Sequence, residues 1–324
     1  MRARVRDRGE RAIATIGVFD GVHLGHRALL DTVQQAAREA RGVAAAVTFR
    51  PPPDAILRPR APVAEITPWA AKRTLLLRSG IARLLALRFS RALASLPPEA
   101  FVDQVLLREF DLAGLVIGYD FRFGAKGAGD AALLRRLGRR HGFRVHRVPA
   151  VLYEGRPISS TRIREAVRRG AVARAGAMLG RDFAVGGRVV SGRGLGKRLL
   201  VPTANLLPAP TQLLPGPGVY LTRVRRRGRA WAGVAQVGPS PTLVGGSQAP
   251  IEVHLLDFEG ELRGCRLAVE FLEKRRETRR FPSLRQLREA VDRDIRWARK
   301  TFHGRVENGL AFGGGRVIAS ANRS

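Results

Sequence analysis

The chain has 324 residues, 45% of them apolar, with 58 basic and 27 acidic side chains and a formal charge of +31. That length and apolar share suit two globular domains with cores of their own and exclude a disordered chain. No run of about 18 apolar residues argues for a membrane span, and a single cysteine, Cys265, excludes an internal disulfide framework. A cytoplasmic protein is expected, because the basic N-terminus leads into a glycine-rich motif rather than a signal-peptide cleavage site. The charge invites a nucleic-acid partner, since clustered basic side chains displace counterions from a phosphate backbone. Yet only Lys72, Lys126, Lys197, Lys274 and Lys300 are lysine, and the arginines are scattered among alanine and glycine without interleaved aromatics. This reads as a compositional bias rather than a binding stripe. The partners expected are small anionic molecules, with a homo-oligomer left open.

In chain order, ATIGVF (14–19) reads as a buried strand and residues 26–40 as a helix with Leu29, Val33, Ala36, Ala37 and Ala40 on one face. AAAVTF (44–49) is a second strand, stopped by Pro51, Pro52 and Pro53. Then come a helix near 69–79, a strand at 83–89, a helix near 98–109, a strand at 112–118, a helix near 130–140 and a strand at 145–151. Strands separated by helices predict an α/β, Rossmann-like domain with a parallel sheet and ligands beyond the carboxyl ends of its strands. Two short helices, 160–170 and 172–180, close this half.

From Phe183 to Phe271 the character changes to short β-rich runs with many glycines and prolines: FAVGGRVV, GVYLTRVRR, AWAGVAQVG, IEVHLLDF and RLAVEFL. They predict a small antiparallel barrel or sandwich. Ser283 caps a last helix over 284–300. The expected division is 1–182, 183–302 and a flexible tail at 303–324.

The strongest motif is GVFDGVHLGH, residues 17–26, which leaves a strand and enters a helix. Backbone N–H groups and the helix dipole favour phosphate at such a point. His23 and His26, three apart with Gly25 between, can turn both imidazoles towards one phosphate chain. They can stabilise an in-line attack and the departing pyrophosphate without a metal cluster or a protein nucleophile. The same pair also reads as structural histidines in a glycine-rich turn. Two later segments add weight: GYDFRFG (118–124) after the fourth strand, and ISSTRIR (158–164) at a helix start. There Ser159, Ser160 and Thr161 can cap the helix or bind phosphate, while Arg162 and Arg164 face different sides of it.

The order GVFDGVHLGH, TFRPPP, GYDFRFG, ISSTRIR resembles the FAD synthetase half of the bacterial bifunctional riboflavin kinase/FAD synthetase family, over roughly residues 12–180. The resemblance implies that His23 and His26 bind the ATP phosphates and that Ser159 to Arg164 add phosphate contacts. It also implies that Asp120 helps hold nucleotide and that Gly17, Phe19, Asp20 and Gly21 shape the first loop. The chain departs from the family at Pro52, where a histidine is usual.

In the second half, GRGLGKRLLVPTANL (192–206) offers an N–H-rich loop through Gly192, Gly194 and Gly196, followed by Lys197; its spacing is not that of a P-loop. Thr203 and Asn205 are two apart, so on an extended chain they share a side and present hard oxygen ligands suited to Mg²⁺. Alone they read equally as turn residues. Glu252, in IEVHLLDF, can take a proton from a substrate hydroxyl during phosphoryl transfer, or is an ordinary charge on a strand face. In this order the segments resemble the riboflavin kinase half of the same family, from about Phe183 to Asp294. That implies Thr203 and Asn205 on magnesium, Glu252 as catalytic base and Arg276 near flavin or phosphate. Leu200, Gln236 and Arg263 stand where the family commonly has glycine, asparagine and tyrosine.

The expected function is therefore ATP-dependent phosphorylation of riboflavin to FMN and adenylylation of FMN to FAD, with Mg²⁺, ATP and flavin in attendance. Two alternatives remain at this point. One is a riboflavin kinase with a degenerate first half, for which Pro52 speaks. The other is a nucleotide- or RNA-binding regulator on the same folds, for which the charge speaks.

Overall fold

The structure is a computed structural model that describes residues 11–60, 63–191, 203–238 and 250–307. The chain divides into two compact units, one up to Ile158 and one from Ser159.

In the first unit five parallel strands, β1 (Ala12–Ile16), β2 (Val43–Phe49), β3 (Arg83–Leu87), β4 (Leu112–Gly118) and β5 (Arg144–Val148), form one sheet in the order β3-β2-β1-β4-β5. All five residues of β1 are buried, as expected of a central parallel strand covered on both faces. Numbering the helices of at least eight residues, α1 (Leu24–Glu39) and α2 (Trp69–Arg78) cover one face and α3 (Ala131–His141) the other, beside a helical run over 98–109. Ile13, Ala44, Ala46 and Val116 point into the core with Leu30, Val33 and Leu76. Ala14, Ala45, Leu115 and Ile117 point the other way, onto Val102, Leu106 and Leu134. The order reverses between β1 and β4, so the carboxyl ends of these two strands flank the crevice where such sheets bind ligands.

Three strands end earlier than expected, the one read at 83–89 stopping at Leu87. The strand at 14–19 stops at Ile16, because Phe19 is buried as a loop residue at φ +51, its ring folded back into the α1-side core. Burial there reflects a plug and not a strand face. The strand at 145–151 stops at Val148, and Leu152–Tyr153 (β6) pairs with Arg156–Pro157 (β7) in a small hairpin that sequence reading missed.

The second unit opens with α4 (Ser160–Arg168) and α5 (Val172–Leu179). Six antiparallel strands follow: β8 (Phe183–Val190), β9 (Ala204–Pro208), β10 (Gly218–Arg226), β11 (Arg229–Val237), β12 (Ile251–Leu255) and β13 (Arg266–Arg276). They close into a barrel in the order β10-β11-β12-β9-β8-β13. Closure leaves no unpaired strand edge. The sequence did not reveal β9, because Pro202 shortly before it and Pro208 as its last residue mimic turn punctuation. The last helix, α6 (Leu284–Glu307), packs Ile295, Trp297, Ala298 and Phe302 against Leu221 and Leu272 on the barrel wall. It outruns the expected 284–300. Residues 303–307 are helical rather than tail, and Arg305 donates to Glu273 of β13 at 2.8 Å. The rest of the proposed tail lies outside the described residues.

Candidate active sites

The loop after β1 is built from the inside outwards. Gly17 leaves room for the Phe19 ring: a Cβ at position 17 would lie 3.2 Å from Phe19 Cζ. Phe19, Gly21 (φ +87) and Val22 (φ +40) turn the chain sharply, with Phe19 and Val22 buried. Asp20 is buried too, and its two carboxylate oxygens accept from the N–H groups of Ile66 and Thr67, each at 3.1 Å. It therefore clamps the loop to a neighbouring segment. The Val18 carbonyl accepts from Lys72 Nζ at 3.1 Å and from Thr48 Oγ1 at 3.2 Å.

His23 then caps α1. Its Nδ1 accepts from the His26 N–H at 3.3 Å, so a neutral ring carries its proton on Nε2. The His23 and His26 rings stack with centroids 3.6 Å apart and 17° between planes, and Phe19 meets His26 edge-on at 5.2 Å. The spacing read from sequence thus places both imidazoles together at a helix N-terminus. Gly25 makes this possible, because a Cβ there would sit 3.1 Å from His23 Cε1 and 3.2 Å from Nδ1.

A prediction arises here with two opposite signs. Gly25→Ala should hold or raise the melting temperature, since alanine is better than glycine in a helix by up to about 1 kcal/mol. It should lower nucleotidyl transfer by about tenfold, because the His23 ring must shift by a few tenths of an ångström from its stack. Calorimetry and rate measurements on the same variant check both.

Beyond β4, on the other flank of the crevice, Asp120 is exposed on its loop. Burial, then the Asp120 charge and its hydrogen bond, push the Tyr119 hydroxyl pKa up. Arg147 Nε donates to the Tyr119 carbonyl at 3.1 Å and pins the loop to β5.

In the second unit, Ser159 caps α4, its Oγ accepting from the Arg162 N–H at 3.3 Å. Of the two roles open to it, capping is the one occupied. Ser160 and Thr161 begin the helix, and Arg162 and Arg164 flank the buried Ile163 on different sides, as their spacing required.

On the barrel, Asn205 of β9 lies directly opposite Glu252 of β12, and Glu252 lies opposite Gln236 of β11. Ile251, Val253 and Leu255 point into the barrel, so these three polar residues form a row across its outer face. Directly paired residues hold their Cβ atoms about 5 Å apart, which lets the Asn205 amide and the Glu252 carboxylate meet at one substrate. Burial pushes the Glu252 pKa up. Thr203 is exposed, immediately ahead of β9. Gly192, Gly196, Lys197 and Leu200 lie outside the described residues.

Arg276 is engaged otherwise than sequence alone could suggest. Its Nε and Nη2 fork onto the buried Asp294 of α6 at 3.1 and 2.7 Å, and Nη1 donates to the Glu277 carbonyl at 3.1 Å. This bidentate pair ties β13 to α6.

A family model described as FAD synthetase matches residues 5–162, and one described as riboflavin kinase matches residues 179–302. A bifunctional riboflavin kinase/FMN adenylyltransferase of Pseudomonas fluorescens is 38% identical over 89% of this chain and 92% of its own length. The chain belongs to that family. Relatives of the same description in Escherichia coli K12 and Bacillus subtilis 168 are 37% and 30% identical, over 93% and 95% of their own lengths. A solved structure titled as a macrolide-efflux protein from Streptococcus pneumoniae superposes with a TM-score of 0.82 at 30% identity, covering 90% of this chain and 94% of that one. Among the described residues here, no helix is long and apolar enough to cross a membrane.

Against the family frame, two features of the first loop escaped sequence reading. Lys72, on the helix expected near 69–79, is buried, and Thr48, an unremarked strand residue, supplies the second donor to Val18. Pro52, the departure from the family motif, precedes a short helix at Pro53–Leu57 as its cap residue.

Proposed function

We propose that this bifunctional riboflavin kinase/FMN adenylyltransferase phosphorylates riboflavin to FMN and adenylylates FMN to FAD, each with ATP, the two chemistries residing on different constellations. The observation that supports the reading is that each half holds its own, unlike set: stacked imidazoles at a helix N-terminus in one, and a carboxylate opposite an amide on the barrel in the other.

In adenylylation, an FMN phosphate oxygen attacks the α-phosphorus of ATP and pyrophosphate leaves. His23 Nε2–H, His26 and the first-turn N–H groups of α1 stabilise charge on the phosphates, with Gly17, Phe19, Asp20, Gly21 and Gly25 fixing the loop. Asp120 and the segment from Ser159 to Arg164 are assigned further nucleotide contacts. In the kinase reaction, Glu252 accepts the proton of the riboflavin 5′-hydroxyl as it attacks the γ-phosphorus. Asn205 and Thr203 offer oxygen donors beside that carboxylate and fit Mg²⁺, which prefers such hard ligands. When bound, the ion neutralises charge on the transferring phosphates. Gly192, Gly196 and Lys197 are assigned to the ATP phosphates and Arg276 to the flavin side, where its pairing with Asp294 makes it a brace. Substrates of this kind suit a cytoplasmic setting.

The chemistry divides near residue 182, with the second activity in 183–302. The folding unit of the second half begins earlier, because the Gly216 N–H donates to the Val167 carbonyl at 3.0 Å and Val172, Met178 and Leu179 of α5 are buried. Product chromatography after incubation with riboflavin, ATP and Mg²⁺ tests both statements. The whole chain should give FMN and FAD; FMN alone favours a first half degraded through Pro52, and neither product favours a binding protein. Fragments 159–324 and 183–324 should both give FMN and no FAD. The shorter should melt lower, since exposing each large buried side chain costs about 1.5–3 kcal/mol. A folded 183–324 that makes no FMN would count against the boundary.

A further inference from the structure

Lys72 is 2% exposed as a residue, an expensive place for a charge. Its named partners are the Val18 carbonyl, at 3.1 Å, and the Trp69 ring, whose centroid lies 5.7 Å away. Arg50 approaches the same ring, at 5.4 Å from its centroid. Asp20 and Glu65 act on the ammonium electrostatically, against a burial that lowers its pKa. Hydrogen bonding of the loop does not depend on Lys72 alone. The Val18 carbonyl keeps Thr48 Oγ1 at 3.2 Å, and the Asp20 carboxylate keeps the N–H groups of Ile66 and Thr67. An apolar side chain of equal length would fill the space but would leave the buried Asp20 carboxylate without this favourable charge, so its effect on the loop has to be read beside its effect on stability.

Lysine is also rare in this arginine-rich chain, where five of the 58 basic residues carry an ammonium. A compact ammonium on a flexible stem reaches a single carbonyl where a planar guanidinium requires more room. What Lys72 grips is the second residue of the loop that climbs through Phe19, Gly21 and Val22, all at positive φ, to His23. Movement at Val18 is therefore passed to the capping imidazole and to its stack on His26.

We propose that Lys72 is a positioning residue for FMN adenylylation, holding the Val18 carbonyl so that the 18–22 loop presents His23 and His26 as a stacked pair. It touches neither substrate nor the reacting atoms. The inference rests on the adenylyltransferase reading given above.

The test uses the whole chain with Lys72→Met, Thr48→Val and the double variant. In Lys72→Met the kcat of FMN adenylylation should fall on the order of a hundredfold, as small misplacements of catalytic groups do. The KM for ATP and riboflavin phosphorylation should hold, and the variant should remain folded at the assay temperature although the buried Asp20 carboxylate loses a favourable charge. Thr48→Val should cost about tenfold in the same kcat, and the double variant should depart from the product of the single effects because both donors share one acceptor. A second readout is independent of catalysis. The chain has six histidines, and the imidazole NMR signals of His23 and His26 should move in ligand-free Lys72→Met. That shift tests the positioning role even if the parent made no FAD, an outcome that would sink the functional reading instead. Parent kcat with unmoved imidazole signals, a loss that tracks unfolding at the assay temperature, or strict independence of the two donors would overturn the proposal.

Discussion

Replacing His26 with alanine is expected to lower FAD formation from FMN by about a hundredfold or more, the usual cost of losing one preorganised donor to developing charge. FMN formation from riboflavin should stay near the parent rate. The expectation follows from the loop after β1, where the His26 ring lies 3.6 Å from His23 in a stack and is braced edge-on by Phe19 at 5.2 Å. Its loss removes one donor and also the surface against which the His23 ring is held, so the effect should exceed that of a lone exposed histidine. The cap itself survives, because the donor to His23 Nδ1 is the backbone N–H of residue 26 and not its side chain. Helix α1 should therefore form, and the melting temperature should change little. Separate assays with FMN plus ATP and with riboflavin plus ATP decide the matter. Equal loss of both activities in a folded protein would contradict two independent centres.

The sequence was most legible where periodicity and chemistry agreed. Strand β4 lies at 112–118 as read, and α1, α2 and α3 fall within two residues of expectation; α1 and α3 pair a regular apolar pattern with a polar flank. The His23–Gly25–His26 spacing carried its geometry openly, since three residues on a helix start are neighbours in space. Illegible features depended on contacts distant in sequence. Asp20 reads as a loop acid, but its partners are 46 and 47 residues away. Arg276 reads as a ligand-binding arginine, and its grip on Asp294, 18 residues on, exists only once α6 folds onto β13. Lys72 had one signal, its identity in a chain that otherwise chooses arginine. The pairing of Asn205 with Glu252 needed strand order: β9 and β12 become neighbours only in the closed barrel.

That pairing sets the expectation for Glu252→Gln. Glutamine keeps the shape and one hydrogen-bonding oxygen while removing basicity, so FMN formation should fall by about a hundred- to ten-thousandfold, the range of general-base contributions. ATP binding should change little, because the carboxylate is not assigned to the phosphates, and FAD formation from supplied FMN should persist. Burial pushes the Glu252 pKa up, which fixes two signs. Catalysis needs the deprotonated form, so the acid limb of riboflavin phosphorylation should lie above the ordinary glutamate value of about 4.3, and the Gln variant should lack it. For stability the folded state holds the proton more tightly than the unfolded chain, so the native state loses stability as pH rises from the unfolded pKa through the folded one. Glutamine carries no such burden, so the variant should melt no lower than the parent at neutral pH. Loss of activity with stability held or raised is the signature of a base kept in an unfavourable place for its chemistry. A Glu252→Gln protein that phosphorylates riboflavin at the parent rate would return Glu252 to an ordinary charge on a strand, and leave Asn205 facing it as no more than a cross-strand neighbour.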